Sequence, residues 1–235
     1  IISGLLIITR GEFILIFASI IFFVILKKKI NPPNLLKIIL ITSLVISPYM
    51  IRNYLHFNQI MLTKSLGFNL WKGNNELSSV QGYEEYKNLN FKELEFKLNS
   101  LEKNKRYELN RDKLFLSEAK KYLAQDPLRY LNLFFKKIFS FYFVDLNSTY
   151  PNYYNFIHFF PVVLFSILSF PGLFILYKKK NIYADCLGLY LLFNIVIFSC
   201  FFILPRFKLI ILPVQIILVA YFIKYLLNKL NVKNL

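Results

Sequence analysis

The sequence predicts an all-α protein: a polytopic bundle of transmembrane helices, with a helical insertion on the outer face of the membrane and an interfacial amphipathic helix. Hydrophobic residues make up 56% of the 235-residue chain and fall in apolar runs near the length that crosses a bilayer. The net charge is +16, from 29 basic and 13 acidic residues. The basic residues cluster between the apolar runs, as on the cytoplasmic flanks of membrane proteins, so we expect no nucleic-acid partner.

Five apolar segments are the predicted membrane helices. The three later ones have the roughly 20 residues that cross a bilayer, and they run from Phe156 to Tyr177, Ile182 to Leu204 and Leu209 to Leu227. The two earlier segments are shorter, Glu12 to Leu26 and Leu35 to Ile51. Between these two, we expect Pro32 and Pro33 to end the first helix and form a turn.

The chain begins inside an apolar run. Its first residues, Ile1-Ile2-Ser3-Gly4, include no Met, basic segment or cleavage site, so we interpret the sequence as a fragment whose N-terminal part is missing. Residues 1–9 are then the end of an earlier span. The predicted organisation has transmembrane helices at 1–51, an extracytoplasmic insertion at 52–155, and three transmembrane helices with a cytoplasmic tail at 156–235.

Lysines beside the membrane segments predict the orientation of the chain. They have no acid among them and are Lys27, Lys28, Lys29, Lys37, Lys178, Lys179, Lys180, Lys224, Lys229 and Lys233. If these flanks are cytoplasmic, the insertion and the turn from Pro205 to Lys208 lie on the outer face. We therefore expect a multi-pass protein of the bacterial plasma membrane with a cytoplasmic C-terminus. The apolar stretch Leu128 to Phe143 must then not cross the bilayer.

That stretch predicts a helix lying in the interface, at about residues 127–143. Asp126 suits the N-cap and Pro127 the first helical position. One side of this helix is apolar and carries Leu131, Phe134, Phe135, Ile138 and Phe141. Three charges, Arg129, Lys136 and Lys137, interrupt it, which favours an interfacial helix over a span. A short tilted span is the alternative.

The segment from Ile51 to Arg129 has the charge of a solvated insertion. It holds 14 basic and 10 acidic residues, so the acids elsewhere are Glu12, Asp145 and Asp185. Its middle, Tyr83 to Gln125, predicts one or two polar helices. Because leucines are sparse there, we expect these helices to need packing against the bundle in order to fold.

The first stretch with candidate binding residues begins where a span reaches the outer face. Pro48 is followed by Arg52-Asn53-Tyr54 and later by Trp71 and Gly73-Asn74-Asn75. A cation, amides and a turn at headgroup depth suit an anionic lipid and a sugar. The alternative is an ordinary anchor, in which Arg52 contacts phospholipid, Tyr54 and Trp71 join the interfacial aromatic belt, and Gly-Asn-Asn is only a turn.

The second candidate stretch, Pro205 to Pro213, lies between two long spans. Arg206 and Lys208 can hold a phosphate, Arg206 through its forked guanidinium and Lys208 as a point charge. Positive-inside bias does not require cations on the outer face. The alternative is contact with ordinary lipid headgroups.

Four short motifs follow one another along the chain. They are Pro-x-x-x-Arg-Asn-Tyr from Pro48, Gly-x-Asn-x-Trp-x-Gly-Asn-Asn from Gly67, Asp-Pro-x-x-Tyr from Asp126 and Arg-Phe-Lys-x-x-x-x-Pro from Arg206. This order resembles the polyprenol-phosphate-sugar-dependent glycosyltransferases of the GT-C superfamily. The most similar group is family 39, the dolichyl-phosphate-mannose protein mannosyltransferases and the bacterial aminoarabinose transferases. The segment Thr9-Arg10-Gly11-Glu12 also resembles the Thr-Arg-x-Glu motif of these proteins.

The resemblance implies a transferase that moves a sugar from a polyprenyl-phosphate-linked donor to an acceptor on the extracytoplasmic face. In that family the general base is an acid in the first outer loop, upstream of this fragment, so no catalytic residue is assigned. The implied substrate-binding residues are Arg52, Asn53, Tyr54, Asn74, Asn75, Arg206 and Lys208. Expected partners are the lipid-linked donor, membrane lipids and an acceptor of open class. The alternative is a non-enzymatic membrane protein, or a lipid-carrier transporter or ligase component.

The remaining polar residues predict no cofactor or metal. Cys186 and Cys200 would lie about 21 Å apart on one helix, too far for a disulfide, and His56 and His158 are isolated. Arg10 and Glu12 suit a local ion pair, the alternative being a role at the donor site.

Overall fold

The computed structural model describes residues 1–28, 30–178 and 182–233, and the described ranges contain helices and no β-strand. The helices are α1 (Ile2–Thr9), α2 (Phe13–Leu26), α3 (Pro32–Phe57), α4 (Leu66–Asn74), α5 (Lys92–Asn99), α6 (Tyr107–Gln125), α7 (Pro127–Tyr142), α8 (Phe156–Lys178), α9 (Ile182–Ser199) and α10 (Leu212–Lys233). Leu89–Phe91 and Pro205–Ile210 form 3₁₀ turns. Of the lysines that predicted the orientation, Lys29, Lys179 and Lys180 lie outside the described residues.

Four of the described helices are long and apolar enough to cross a membrane. They are Pro32–Phe57, Phe156–Lys178, Ile182–Ser199 and Leu212–Leu230. Helix α2 is apolar but has only 14 residues. The predicted class, an all-α membrane protein with several membrane helices, is confirmed, and the predicted polar helices of the insertion are α5 and α6.

The two prolines between α2 and α3 act differently from the prediction. Helix α2 already ends at Leu26, and Pro32 and Pro33 begin α3. A proline at the first helical position loses no intrahelical hydrogen bond, and its fixed φ suits the helix. Helix α3 also continues through Pro48 to Phe57, so Arg52, Asn53 and Tyr54 lie within its last turns.

The boundaries of the last two spans also differ from the prediction. Helix α9 ends at Ser199, five residues before the predicted Leu204, and α10 begins at Leu212 instead of Leu209. The residues between them form an extended segment, in which Ile203 N donates to Val80 O at 2.9 Å, and then the 3₁₀ turn. Pro205 opens that turn because it has no N–H to continue an α-helix.

The chain forms two compact units. The first contains Ile1–Ser78 and Gly82–Pro127, and the second contains Ser79–Gln81 and Leu128–Leu235. The short segment Ser79–Gln81 therefore packs with residues that follow it by more than forty positions.

The insertion helices of the first unit have their own aromatic core. Trp71 of α4 is fully buried, with ring centroids 5.2 Å from Phe91 and 5.0 Å from Phe115. Leu94, Leu98 and Ala119 complete the buried cluster. Aromatic side chains, which each bury a large apolar area, supply much of this core where leucines are sparse. The expectation that these helices need packing against the bundle in order to fold stays a prediction. Trp71 is a core residue, so the interfacial-belt alternative for it was wrong.

The second unit is centred on the close approach of α8 and α10. A Cβ built on Gly172 of α8 would lie 2.1 Å from the carbonyl oxygen of Leu218 in α10, so only glycine allows this spacing. Around it, Phe141 stacks on Phe198 with centroids 5.3 Å apart. This apolar packing holds the turn at Pro205–Ile210 against the end of α9.

Helix α7 has three faces. Buried residues occupy one of them and are Tyr130, Leu133, Lys137, Ser140 and Phe141. Exposed apolar residues occupy the second and are Leu128, Leu131, Phe135 and Phe139. Exposed polar residues lie between these, namely Arg129, Asn132 and Lys136. An exposed apolar stripe beside a polar stripe is typical of a helix in a membrane interface.

Candidate functional site

The 3₁₀ turn Pro205–Ile210 places two cations on one turn of chain. Phe207 holds the turn in the core, with its ring centroid 5.2 Å from that of Phe198. Tyr190 Oη donates to Ile210 O at 3.0 Å and fixes the other end. Between these anchors, Arg206 is exposed and Lys208 is buried. Arg206 and Lys208 therefore share one turn, but Arg206 is exposed to solvent and Lys208 is not.

Lys208 is a buried cation that lacks a hydrogen bond. The residue is only 9% exposed, and its Nζ has no hydrogen-bond partner within the described part of the chain. Burial lowers the pKa of Lys208 to about 7, although the negative charge of Asp145 acts to raise it. Most buried polar groups in folded proteins are hydrogen-bonded, so an unsatisfied ammonium indicates a group that serves a ligand.

Asp145 is the carboxylate that acts electrostatically on Lys208, and hydrogen bonds hold its side chain in place. Gln81 Nε2 donates to Asp145 Oδ2 at 2.9 Å, and the Asn147 backbone N–H donates to Oδ1 at 3.1 Å. The backbone N–H of Asp145 donates to Tyr153 Oη at 2.9 Å. Gln81 is itself held, because Thr149 Oγ1 donates to its Oε1 at 2.9 Å.

Lys208 and Asp145 line one crevice in the second unit. Its other walls are Gln81, Ser140, Tyr153, Ile203 and Pro205, and the space between them is too narrow for a water molecule. Burial also raises the pKa of Tyr153, so its hydroxyl stays protonated and available to donate. A ligand group can reach Lys208 only if the crevice widens or the lysine side chain turns outward.

Lys137 of α7 is a second buried lysine in this unit. It is 0% exposed, and burial lowers its pKa to about 7, with Cys200 as a raising influence. The sequence prediction counted Lys137 among the three charges that favour an interfacial helix, whereas the structure buries this lysine. Its spacing from Tyr130 and Leu133 by seven and four residues puts all three on the buried face.

The candidate residues of α3 have unlike environments. Arg52 and Tyr54 are exposed, whereas Asn53 is buried. Asn53 Nδ2 donates to Met61 O at 2.9 Å. This bond ties the segment that follows α3 back to the helix. Arg52 and Tyr54 remain available to a ligand or a lipid headgroup, and Asn53 has a structural bond.

The two asparagines after Gly73 form the end of α4. Asn74 Nδ2 donates to Leu70 O at 2.9 Å. Asn75 is 0% exposed, its Nδ2 donates to Tyr83 O at 2.9 Å, and its Oδ1 accepts from Leu77 N at 2.9 Å. These amides therefore shape the chain between α4 and Tyr83 from the inside of the first unit.

Arg10 and Glu12 lie where α1 ends and α2 begins. Their side chains form an ion pair at 3.9 Å, in agreement with the local pair that the sequence suggested. The helix break places both charges at a bend instead of within an apolar turn, which lowers the energy of desolvating them.

Asp145, Gln81 and Lys137 are the functional candidates that the sequence prediction did not include. Asp145 had a visible signal, since it is one of three acids outside the charged segment Ile51 to Arg129. Gln81 had none, because its role depends on a hydrogen bond to a residue 64 positions away.

No protein-family model, curated protein or solved structure matches the chain.

Proposed function

We propose that this membrane protein is a glycosyltransferase that takes a sugar from a polyprenyl-phosphate-linked donor and passes it to an acceptor. In this proposal the reaction occurs on the extracytoplasmic face of the bacterial plasma membrane, and the C-terminus is cytoplasmic. The observation that carries it is Lys208, a buried ammonium with no hydrogen bond to any described residue, two positions after the exposed Arg206. The motif around both residues resembles the one found in such transferases.

Transfer of this kind needs cations at the leaving group. The bond from the anomeric carbon to the phosphate oxygen breaks, the oxygen keeps the electron pair, and the acceptor hydroxyl loses its proton to a general base as the new bond forms. Negative charge therefore develops on the polyprenyl phosphate. Arg206 and Lys208 would stabilise that charge, and a partly dry crevice strengthens their effect compared with water.

The residues of the first unit take two kinds of role in this proposal. Arg52 and Tyr54, which are exposed, contact the donor or the acceptor. Asn53, Asn74 and Asn75 instead shape their own segments of the chain, because their amide groups donate to backbone carbonyls. We therefore assign the phosphate contacts to Arg206 and Lys208 of the second unit, a ligand contact to Arg52 of the first unit, and structural roles to the buried amides.

Binding of a donor analogue tests the proposal. The probe is a polyprenyl methyl phosphodiester, presented to the purified chain in phosphatidylcholine nanodiscs. We expect Lys208→Met to weaken binding by about 10- to 100-fold and Arg206→Ala by about 10-fold, since each removes a charge-assisted hydrogen bond. Lys178→Ala is the matched control, an exposed lysine at the end of a span.

Two results would contradict the phosphate assignment. One is binding that neither substitution changes, and the other is equal competition by phosphatidylglycerol, which would show that the cations contact ordinary headgroups. Release of polyprenyl phosphate from a lipid-linked sugar would favour the transferase over the carrier-binding transporter or ligase component.

A further inference from the structure

The crevice that holds Lys208 also contains a carboxylate. Asp145 is 6% exposed and lines the same space as Lys208. An anion that approaches the ammonium must therefore come near a negative charge as well. A site built only to bind phosphate would exclude a carboxylate, so Asp145 needs a separate explanation.

The two charged side chains differ in how firmly they are held. Both oxygens of Asp145 accept hydrogen bonds, from Gln81 and from the backbone of Asn147. The Lys208 ammonium makes no hydrogen bond to any described residue. Because its long chain is fixed only by packing, Lys208 is the partner that can move, and Asp145 is the one that stays.

We propose that Asp145 is a positioning residue for Lys208: it keeps the ammonium charged and inside the closed crevice until a phosphate anion takes Lys208 away from it. This inference rests on the proposed function. Gln81 fixes the carboxylate through the segment Ser79–Gln81, which packs with the second unit. The two opposite charges share the resting crevice without forming an ion pair, and phosphate binding then gives Lys208 an anion in direct contact.

Several charged and titratable groups lie on the elements around Lys208. Asp145 and Tyr153 line the crevice, Arg206 shares the 3₁₀ turn, and Tyr190 of α9 donates to that turn. The buried Lys137 and Tyr142 lie on α7, and Cys200 follows α9. Of these, Asp145 is the group whose charge raises the pKa of Lys208, against the lowering effect of burial.

Removal of the Asp145 charge should have opposite effects at low and at high pH. At low pH Lys208 is charged in either protein, so Asp145→Asn removes a competitor and tightens binding of the anion. At high pH the variant has lost the group that keeps Lys208 protonated, so binding requires proton uptake and weakens. The two curves of affinity against pH are expected to cross.

The test measures the dissociation constant of the polyprenyl methyl phosphodiester in nanodiscs from about pH 5.5 to about pH 8.5, a range in which a phosphodiester keeps a single charge. We expect Asp145→Asn to bind about tenfold more tightly than wild type at the acidic end and less tightly at the alkaline end. Lys208→Arg, whose guanidinium stays charged, should remove the decline of affinity with pH. Asp185→Asn is the matched control.

A second variant guards against a folding defect in the first. Gln81→Ala keeps the Asp145 charge but releases the carboxylate from its hydrogen bond. We expect it to change the affinity in the same direction as Asp145→Asn, by a smaller factor. Parallel curves of affinity against pH for wild type and Asp145→Asn, together with the expected loss of binding in Lys208→Met, would overturn the role of Asp145 and leave the proposed function standing. Absence of any effect of Lys208→Met would overturn the proposed function instead.

Discussion

Asn75 of the first unit and Lys208 of the second are both buried polar side chains within the motifs that suggested a function, yet their surroundings are opposite. Asn75 uses its amide nitrogen and oxygen in hydrogen bonds to Tyr83 O and Leu77 N. Lys208 has no hydrogen-bond partner among the described residues. A motif residue thus has complete hydrogen bonds in one unit and an unsatisfied charge in the other.

This difference separates motif residues that stabilise the fold from those that can bind a ligand. A buried amide with its hydrogen bonds complete is already stabilised by the protein, and a ligand adds little to it. A buried ammonium without a partner destabilises the folded state until an anion arrives. Stability and binding should therefore respond in the same direction at Asn75 and in opposite directions at Lys208.

The largest effect is expected at Asn75. Asn75→Ala leaves the carbonyl of Tyr83 and the N–H of Leu77 without these partly buried hydrogen bonds and removes a fully buried side chain, so the free energy of unfolding should fall by about 2–4 kcal/mol. Thermal unfolding of the chain in detergent, followed by circular dichroism, measures this loss. Asn69→Ala on the same helix is the control, because its side chain makes only a 3.4 Å contact to Ser65. A wild-type melting curve for Asn75→Ala would mean that its hydrogen bonds are not structural.

The second effect has the opposite sign. Burial lowers the pKa of Lys208 although Asp145 acts to raise it, so desolvation of the ammonium outweighs that attraction. Lys208→Met keeps the length of the side chain without the charge and should raise the free energy of unfolding by about 1–3 kcal/mol. The same melting experiment measures it. A loss of stability would show instead that the ammonium is well satisfied, and the contrast with Asn75 would be broken.

The third prediction uses pH to identify the charge as the cause. The pKa of Lys208, about 7 in the folded protein, is below that of a lysine in an unfolded chain, about 10.4. Between these values the unfolded state binds more protons, so this group makes the folded state more stable as pH rises. The stability advantage of Lys208→Met should thus be constant below about pH 7 and shrink toward about pH 10.

A comparison of the two melting temperatures across that window decides the point. The buried Lys137 titrates in both proteins and cancels from the difference. A difference that stays constant through the alkaline range would assign the gain of stability to packing by the methionine side chain, and not to removal of a charge.

The sequence allowed much of the helical organisation to be predicted, for local reasons. Apolar runs and Pro127 defined the last spans and the start of α7, because hydropathy and a proline at the first turn act over a few residues. The Arg206–Lys208 turn was also found, since both cations lie in one short motif. These features need no knowledge of distant contacts.

Burial and hydrogen bonding could not be predicted in the same way. Gln81 meets Asp145 across 64 positions of sequence, and Asn75 meets Tyr83 across a turn whose course the sequence does not define. The motifs placed both Asn75 and Lys208 among the substrate-binding residues, because a motif records residue type alone. Only the packed structure shows that one is satisfied and the other is not.

The smallest effect tests whether the first unit also offers a cation to the donor. Arg52 is exposed near the end of α3, so Arg52→Ala should leave the melting temperature unchanged and weaken binding of the phosphodiester by about three- to fivefold, as expected for a solvated charge. Arg129→Ala, an exposed arginine on α7, serves as the control. Unchanged affinity would leave Arg52 as a contact for ordinary headgroups, and the binding cations would then belong to the second unit. A loss as large as that of Lys208→Met would contradict the contrast itself, because an exposed charge would then matter as much as a buried, unsatisfied one.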